Sequence, residues 1–269
     1  MGQRIFQVDA FADEPFRGNP AAVVLLDEPR DDEWMQSVAI EMNLAETAFV
    51  SQIENSVFHL RWFTPAYEVD LCGHATLATA HILWQLNIVD HGTPIRFETR
   101  SGQLPVQKTS DGIELDFPAT PATECKAPQD LLESFSFEGQ PVETVFIGRS
   151  CYDYVLEFPS EASVRNAEID IRRLRQVETR GVIISAASDD AKLDFVSRFF
   201  GPAAGIDEDP VTGSAHCCLA EYWGNKLQKN SLVGYQASSR GGTVRMQRRA
   251  ERILLCGTAV TVLSGELHA

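Results

Sequence analysis

Short apolar segments recur along the chain and predict many strands, because apolar residues either alternate with polar ones or form brief uninterrupted runs. The first two strands are separated by Gly18-Asn19-Pro20, a sequence typical of a turn. Turns with Gly, Asn or Asp punctuate most of the later segments as well. The predicted strands are QRIFQVDAF, AAVVLL, ETAFVSQ, VFHLRWF, IRFET, LPVQK, IELDFP, ETVFIG, YDYVLEF, GVIISA and LDFVSRFF, with further strands to the end.

Longer segments with apolar residues at helical spacing predict helices. DDEWMQSVAIEMN is amphipathic, with Asp31 or Asp32 as its cap, and a charged helix is predicted around IDIRRLRQVE. HATLATAHILWQL and SAHCCLAEYWGNKL are mostly apolar, so we expect both helices to be buried. Residues 118–130 are rich in Pro, Ala and Thr and are predicted to form a linker.

The order of the elements repeats, and so do some of their letters. Arg61-Trp62-Phe63-Thr64-Pro65 precedes Gly73-His74-Ala75 and a helix, while Arg198-Phe199-Phe200-Gly201-Pro202 precedes Gly213-Ser214-Ala215 and a helix. Two matches in the same order indicate an internal duplication. We therefore predict two similar domains, each a curved sheet around one central helix, in the α+β class.

Composition narrows the classes of partner. The chain has 269 residues, 44% of them hydrophobic, and a formal net charge of −15, which disfavours binding to nucleic acid. The N-terminal segment MGQRIFQVDAF lacks the apolar run of a signal peptide, and no stretch approaches the ~20 apolar residues of a membrane span. We expect a cytoplasmic protein that binds neither nucleic acid nor membrane.

Six cysteines are scattered along the chain without a C-x-x-C pair, which predicts reduced thiols rather than disulfides. Cys125, Cys151 and Cys256 are expected to be small buried side chains. No zinc-like spacing and no dinucleotide or P-loop motif is present, so we predict neither a metal nor a cofactor. The residues considered for a metal are His74, His81, His216, Cys217 and Cys218.

Each apolar helix is predicted to begin at a glycine, Gly73 before His74 and Gly213 before Ser214. Helix N-termini present unpaired backbone N–H groups and attract anions. Two such turns can hold a small carboxylate-bearing substrate without many arginines, which suits a chain of charge −15. The alternative is plain capping, in which Ser214 and His74 start the helices and the glycines only permit tight turns.

Three residues near these turns are candidate acid/base groups. Glu46 begins a strand and is either solvated, which the residues alone favour, or half-buried with a raised pKa suited to removing a proton from carbon. His74 is either a proton donor or a histidine satisfied near a helix start. Asp209 is held extended by Pro210, and its carboxylate either faces a ligand or forms an Asx-type turn.

Cys72 precedes Gly73, and a thiol at a helix N-terminus can have a lowered pKa. Thr212 occupies the equivalent place in the second half, so the chain does not offer two symmetric thiols.

Taken together, several segments resemble the phenazine-biosynthesis PhzF-like isomerase family, which is more distantly similar to diaminopimelate epimerase and proline racemase. The resemblance spans essentially the whole chain, and CGHAT and EDPVTGSAH are its most specific parts. An epimerase of that kind uses a cysteine on each side, and Thr212 departs from that pattern. The segments are VDAFADEPFRGNPAAVVLL, EMNLAETAFV, LRWFTPAYEVDLCGHATLATAH, GIDEDPVTGSAHCCLAEYW and SSRGG.

The resemblance implies two pseudo-symmetric domains, each a mixed barrel-like sheet around a central helix, with the active site between them. It places the domains at 1–118, completed by about 260–269, and at 119–259. It also implies a homodimer without cofactor or metal. The family's phenazine member isomerises trans-2,3-dihydro-3-hydroxyanthranilate by moving a proton.

Site residues follow from the same resemblance. Glu46 corresponds to the family's base, and His74 and Asp209 correspond to its other acid/base groups. The substrate carboxylate is expected on the glycine turns. The expected substrate-binding residues are Gly73, Gly213, Ser214 and Asn19.

The resulting hypothesis is a cofactor-independent isomerase acting on a small carboxylate-bearing molecule. Two alternatives remain open at this point. One is a hydrolase that uses Ser214 with a nearby histidine, although no nucleophile-elbow motif is present. The other is a non-catalytic binding or scaffold protein that has kept the fold; the presence of Glu46, His74 and Asp209 together disfavours it.

Overall fold

Strands and helices alternate through residues 2–268, the part of the chain that the computed structural model describes. They form two compact units. Unit 1 comprises the chain up to Asp116 and from Cys256 onward, and unit 2 comprises Phe117–Leu255. Each unit combines helices with a sheet of parallel and antiparallel strands, which confirms the predicted α+β class.

The elements of unit 1 agree closely with the sequence pattern. They are β1 (Gln3–Ala10), β2 (Asn19–Leu26), α1 (Asp32–Met42), β3 (Glu46–Glu54), β4 (Val57–Phe63), β5 (Glu68–Val69), α2 (Gly73–Gln85), β6 (Ile95–Thr99), β7 (Gly102–Thr109) and β8 (Gly112–Pro118), which runs into unit 2.

The elements of unit 2 follow, and the chain then returns to unit 1. They are β9 (Thr123–Glu124), α3 (Gln129–Leu132), β10 (Phe135–Phe137), β11 (Gln140–Pro141), β12 (Phe146–Arg149), β13 (Asp153–Glu157), α4 (Glu161–Arg165), β14 (Glu168–Ile169), α5 (Ile171–Leu174), β15 (Gly181–Ala187), β16 (Phe195–Gly201), a 3-10 turn (Pro202–Ala204), β17 (Ile206–Asp209), α6 (Gly213–Leu227), β18 (Ser231–Gln236), β19 (Gly242–Arg249) and β20 (Arg252–Gly257). Strand β21 (Ala259–Leu267) lies in unit 1.

The hairpin of β1 and β2 depends on Gly18. This residue has a φ of +65°, and a Cβ there would lie 2.1 Å from the Ala10 carbonyl oxygen. Only glycine fits such a position without moving the backbone. The turn places Asn19 at the first position of β2.

Helix α2 is the central helix of unit 1. All its residues from His74 to Trp84 are buried except His81, and it packs against β1, β2 and β3. Its almost uncharged sequence predicted this burial correctly, because burying a charged side chain is unfavourable. In unit 2 the corresponding helix α6 packs against β18 and β19, with Cys217 and Cys218 buried.

The two units share one order of pairing. In unit 1, β2 is parallel to β3, β3 is antiparallel to β4, and β4 is antiparallel to β5 and parallel to β6. In unit 2, β13, β15, β16, β17 and β18 pair in the same sequence of directions. The duplication seen in the letters is therefore also a duplication of sheet topology.

Several local predictions were wrong. The predicted linker at 118–130 contains β9, which pairs with β12 and so belongs to unit 2. The charged helix predicted around IDIRRLRQVE is only the four-residue helix α5. Leu174 is its one buried residue, so little packing stabilises a longer helix there. Of the three cysteines expected to be buried, Cys256 is buried, Cys125 is half-buried and Cys151 is exposed.

Within residues 2–268, no helix is both long and apolar enough to cross a membrane.

Candidate active site

A carboxylate and an imidazole meet in unit 1. Glu46 is the first residue of β3, and His74 is the second residue of α2. Glu46 Oε2 lies 3.2 Å from His74 Nε2, and the two side chains are 12% and 6% exposed. The solvated position that the sequence favoured for Glu46 is therefore wrong, because the strand start directs the carboxylate to the buried end of α2.

The other ring nitrogen of His74 is also contacted. Asn19 Nδ2 lies 3.2 Å from Nδ1, and Cys72 Sγ lies 3.5 Å from it. If Nε2–H donates to Glu46, the Asn19 amide can donate to Nδ1 of a neutral ring. An imidazolium instead donates from Nδ1, to the Cys72 sulfur or to the Asn19 oxygen after the amide turns over. Both protonation states therefore have partners.

Electrostatics favour the charged ring. Burial acts to lower the pKa of His74, but Cys72 and the Glu46 carboxylate act to raise it, and the net result is a pKa well above the ordinary 6.5. Burial and the Glu46 charge raise the pKa of the Cys72 thiol to about 11. This direction contradicts the lowered pKa predicted for Cys72 from its place at a helix start.

We expect the pKa of His74 to fall when the Glu46 charge is removed. Titration of the His74 ring by NMR should show a midpoint well above 6.5 in the wild type and a lower one in Glu46→Gln. Because the folded-state pKa exceeds the unfolded-state value, the stability that charged His74 contributes is fully present below pH 6.5 and is lost as the pH rises through the folded-state midpoint. An unchanged midpoint in the variant would show that Glu46 does not control His74.

We expect Cys72 to resist alkylation. Cys72 is buried with a raised pKa, whereas Cys151 is exposed. Peptide mass spectrometry after iodoacetamide treatment at pH 7.5 should show Cys151 modified at least tenfold faster than Cys72, since only a thiolate reacts. Equal rates would mean that Cys72 is an activated thiol.

The same cluster is a possible metal site by composition. One donor atom from each of Glu46, Cys72 and His74 lies within 4.8 Å of the others. Carboxylate, thiolate and imidazole are the ligand types that zinc prefers. The sequence pattern did not reveal this group, because Glu46 comes from a different element.

The helix starts are arranged differently from the capping alternative. Cys72 and Thr212 are the N-cap residues, and neither side chain bonds the first turn. His74 and Ser214 lie one residue inside their helices, after Gly73 and Gly213. Capping by His74 or Ser214 is thus wrong, and the Gly73, Gly213 and Ser214 amides have no capping side chain. Such amides are suited to an anion.

In unit 2, Asp209 belongs to a buried network at the start of α6. It is the last residue of β17, is 7% exposed, and its Oδ2 accepts a hydrogen bond from Thr212 Oγ1. Gln236, fully buried on β18, accepts from Thr212 N at 2.9 Å and donates from Nε2 to the Asp209 carbonyl at 2.6 Å. These contacts fix the loop that carries Asp209 into α6.

Two ion pairs were missed from the sequence, and each has a glutamate that precedes a helix start. Arg61 binds Glu68 through Nε at 2.7 Å and Nη2 at 2.8 Å. Arg198 binds Glu208 in the same way, at 2.7 and 3.0 Å. Each glutamate lies five residues before the glycine of its helix, so the signal was present in the repeated letters. Glu208 thereby has a structural partner, and bidentate geometry makes such pairs rigid.

Ser214 has a partner that disfavours the hydrolase alternative. Its Oγ accepts a hydrogen bond from Arg180 Nη2 at 3.0 Å, not from a histidine. The nearest histidine along the helix, His216, instead bonds the Thr212 carbonyl through Nδ1 at 2.8 Å, and burial lowers its pKa to about 4. Arg180 was not predicted from the sequence, because it lies in a loop far from either motif.

A family model and a curated relative both match nearly the whole chain. The sequence model of the family described as phenazine biosynthesis-like protein, PhzC-PhzF, matches residues 8–265. A protein from Halalkalibacterium halodurans named an uncharacterized isomerase is 48% identical over 268 residues, covering 99% of each chain.

Solved structures extend the comparison. A PhzF-family phenazine biosynthesis protein from Enterococcus faecalis has a TM-score of 0.93 at 37% identity and covers 100% of both chains. A hydroxyproline epimerase from Agrobacterium vitis, 9% identical with a TM-score of 0.63, covers 98% of this chain and 92% of its own. The second likeness concerns the fold alone, and it agrees with the predicted epimerase-type architecture.

Proposed function

Because the chain belongs to the phenazine biosynthesis-like (PhzC-PhzF) family and is an isomerase of that family, we propose that it moves a proton on a small carboxylate-bearing substrate without a cofactor. The observation that carries the proposal is the contact between Glu46 and His74. A carboxylate within 3.2 Å of an imidazole of raised pKa is a base paired with an acid. Such a pair suits removal and return of a proton at carbon.

We assign the proton transfer to Glu46. Its carboxylate removes a proton from a carbon of the substrate and returns it at another position. The charged form of His74 stabilises the negative charge that develops beside it during removal. Asn19 holds the ring by its contact with Nδ1. Asn19 thereby fixes the direction in which Nε2 points.

We assign Asp209 as the acid/base candidate of unit 2. Its carboxylate is held by Thr212, so its direction is fixed before substrate binds. The amides that follow Cys72 and Thr212, at Gly73, Gly213 and Ser214, are assigned to the substrate carboxylate, since their caps leave them available. We further propose that 1–118 with about 260–269, and 119–259, are the duplicated domains, and that the protein is a homodimer.

The test is conversion without added cofactor. The purified chain, treated with EDTA, is incubated with trans-2,3-dihydro-3-hydroxyanthranilate and with a panel of small amino and hydroxy acids. We expect at least one compound to yield a product of unchanged mass, separated by chromatography or detected by circular dichroism. A reaction that needs added metal or nicotinamide would contradict the proposal. A product that gains one water would indicate the hydrolase, and binding without any turnover would indicate a scaffold.

A further inference from the structure

In unit 1, Glu46 at the strand start and His74 at the helix start form a corner. The duplicated topology gives this corner a counterpart in unit 2. Thr47 pairs with Phe63, and Val182 pairs with Phe200. Since Arg61-Trp62-Phe63 matches Arg198-Phe199-Phe200, the counterpart of Glu46 is Gly181. Both residues begin their strands. Arg180 immediately precedes Gly181.

The two units have chemically different side chains at this corner. In unit 1, Glu46 at the strand start contacts His74, the second residue of α2. In unit 2, Arg180 beside the strand start contacts Ser214, the second residue of α6, at 3.0 Å. A carboxylate and imidazole are thus replaced by a guanidinium and hydroxyl. An acid at 181 does not fit, because a Cβ there would lie 2.2 Å from the Phe199 ring.

Arg180 is held rigidly. Its Nε donates to Asp153 Oδ1 at 2.9 Å and its Nη2 donates to Asp153 Oδ2, while Asp153 is 1% exposed. The guanidinium lies over the Tyr152 ring at 4.8 Å and the Phe199 ring at 5.7 Å. The side chain is nevertheless 41% exposed. A buried anchor with an exposed cation is an arrangement suited to binding an anion.

Arg180 and Ser214 each have a hydrogen-bond donor that a ligand can use. Ser214 Oγ accepts from Arg180, so its own hydrogen is available to another acceptor. Within residues 2–268, Arg180 donates its hydrogen bonds through Nε and Nη2, which leaves Nη1 for a ligand. Arg180 Nη1 and the Ser214 hydroxyl are therefore two donors that a ligand can use, and the contacts of both side chains within the protein hold them in place. A carboxylate accepts two such bonds at once.

We propose that Arg180, anchored by Asp153, is a specificity-determining residue that binds the substrate carboxylate together with Ser214. This inference rests on the proposed function, because it takes the substrate to carry that carboxylate. It adds that the strand start of unit 2 carries a guanidinium where the strand start of unit 1 carries the Glu46 carboxylate.

The test uses benzoate and benzamide, which match in shape and differ in charge. Binding to the intact protein is measured by calorimetry and by ligand-observed NMR. We expect wild-type protein to bind benzoate at least tenfold more tightly than benzamide. Arg180→Lys and Ser214→Ala should each weaken benzoate about tenfold, which is the usual size of one charged hydrogen bond, and leave benzamide unchanged. Arg248→Lys is the matched control, because Arg248 makes an equivalent bidentate pair with Glu221 on α6.

The inference is overturned if wild-type protein does not prefer benzoate, or if folded Arg180→Lys protein binds benzoate as tightly as wild type does. Thermal unfolding of each variant checks that the fold is retained, and Ser214→Ala serves if Arg180→Lys unfolds because Asp153 has lost its partner. An equal loss in Arg248→Lys would show a structural effect only. If only this inference is wrong, wild-type protein still converts its substrate but benzoate binding does not depend on Arg180. If only the proposed function is wrong, benzoate binding still depends on Arg180 but no substrate is converted, so the two failures are distinguishable.

Discussion

Replacing Glu46 by glutamine should lower the turnover number about a thousandfold, within the range that a positioned general base contributes. Glutamine keeps the size of the side chain, and its amide oxygen can occupy the place of Glu46 Oε2 beside His74 Nε2. It cannot take a proton from carbon. Since the neighbouring packing is unchanged, we expect the Michaelis constant to change far less than the turnover number. Steady-state kinetics on a compound converted by the wild type measures both.

The matched control for this variant lies on the same strand. Glu54 is the exposed last residue of β3, and Glu54→Gln makes the same chemical change away from His74. We expect its turnover to equal that of the wild type. A Glu46→Gln enzyme of near-normal turnover would transfer the role of base to another group, and Asp209→Asn would be the next variant to measure.

Replacing Gln236 by leucine should destabilise unit 2 by about 3 kcal/mol and also reduce turnover. The substitution removes the side-chain hydrogen bonds to the Thr212 N–H and the Asp209 carbonyl, and each buried bond lost in this way costs about 1–3 kcal/mol. The loop that carries Asp209 to the start of α6 then loses its fixed position. Urea denaturation followed by tryptophan fluorescence measures the free energy of unfolding.

Gln247→Leu is the control for the Gln236 variant, since Gln247 is exposed on the neighbouring strand β19. We expect its stability to lie within about 0.5 kcal/mol of the wild type. If Gln236→Leu is equally mild, the polar network does not hold the loop, and the assignment of Asp209 loses its structural support.

Sequence reasoning was most accurate where the signal is local. The almost uncharged α2 was correctly expected to be buried, and the repeated Arg-x-Phe and Gly-small patterns located both helix starts. These features depend on residues close together in the chain. The two-residue strand Glu68–Val69 was missed because it pairs only once β4 is in place.

The candidate site was predictable only in part. Glu46 and His74 were identified as separate residues, but their contact joins a strand start to a helix start and has no local signature. The same reason hid Arg180, whose partners Asp153 and Ser214 lie on either side of it in sequence, 27 and 34 residues away. A lowered pKa was predicted for Cys72 because only the helix start was considered. Burial and the Glu46 charge raise that pKa instead.

The difference between the two duplicated corners bears on the type of reaction. Racemases that use two equivalent bases need matching acid/base groups in both halves. Here the counterparts of Cys72, His74 and Glu46 are Thr212, Ser214 and Gly181, none of which is a base at neutral pH. Matching bases are therefore lacking at these positions, and the acid/base candidate of unit 2 is Asp209, which lies elsewhere, at the end of β17.

Solvent isotope incorporation tests the central claim most directly. A compound converted by the wild type is incubated in deuterated water with wild-type protein, Glu46→Gln and Glu54→Gln, and the product is analysed by proton NMR and mass spectrometry. The account predicts deuterium at one carbon position of the product with the wild type and Glu54→Gln, and neither product nor incorporation above background with Glu46→Gln. Incorporation by Glu46→Gln at the wild-type rate would contradict the assignment of Glu46 as the base that moves the proton.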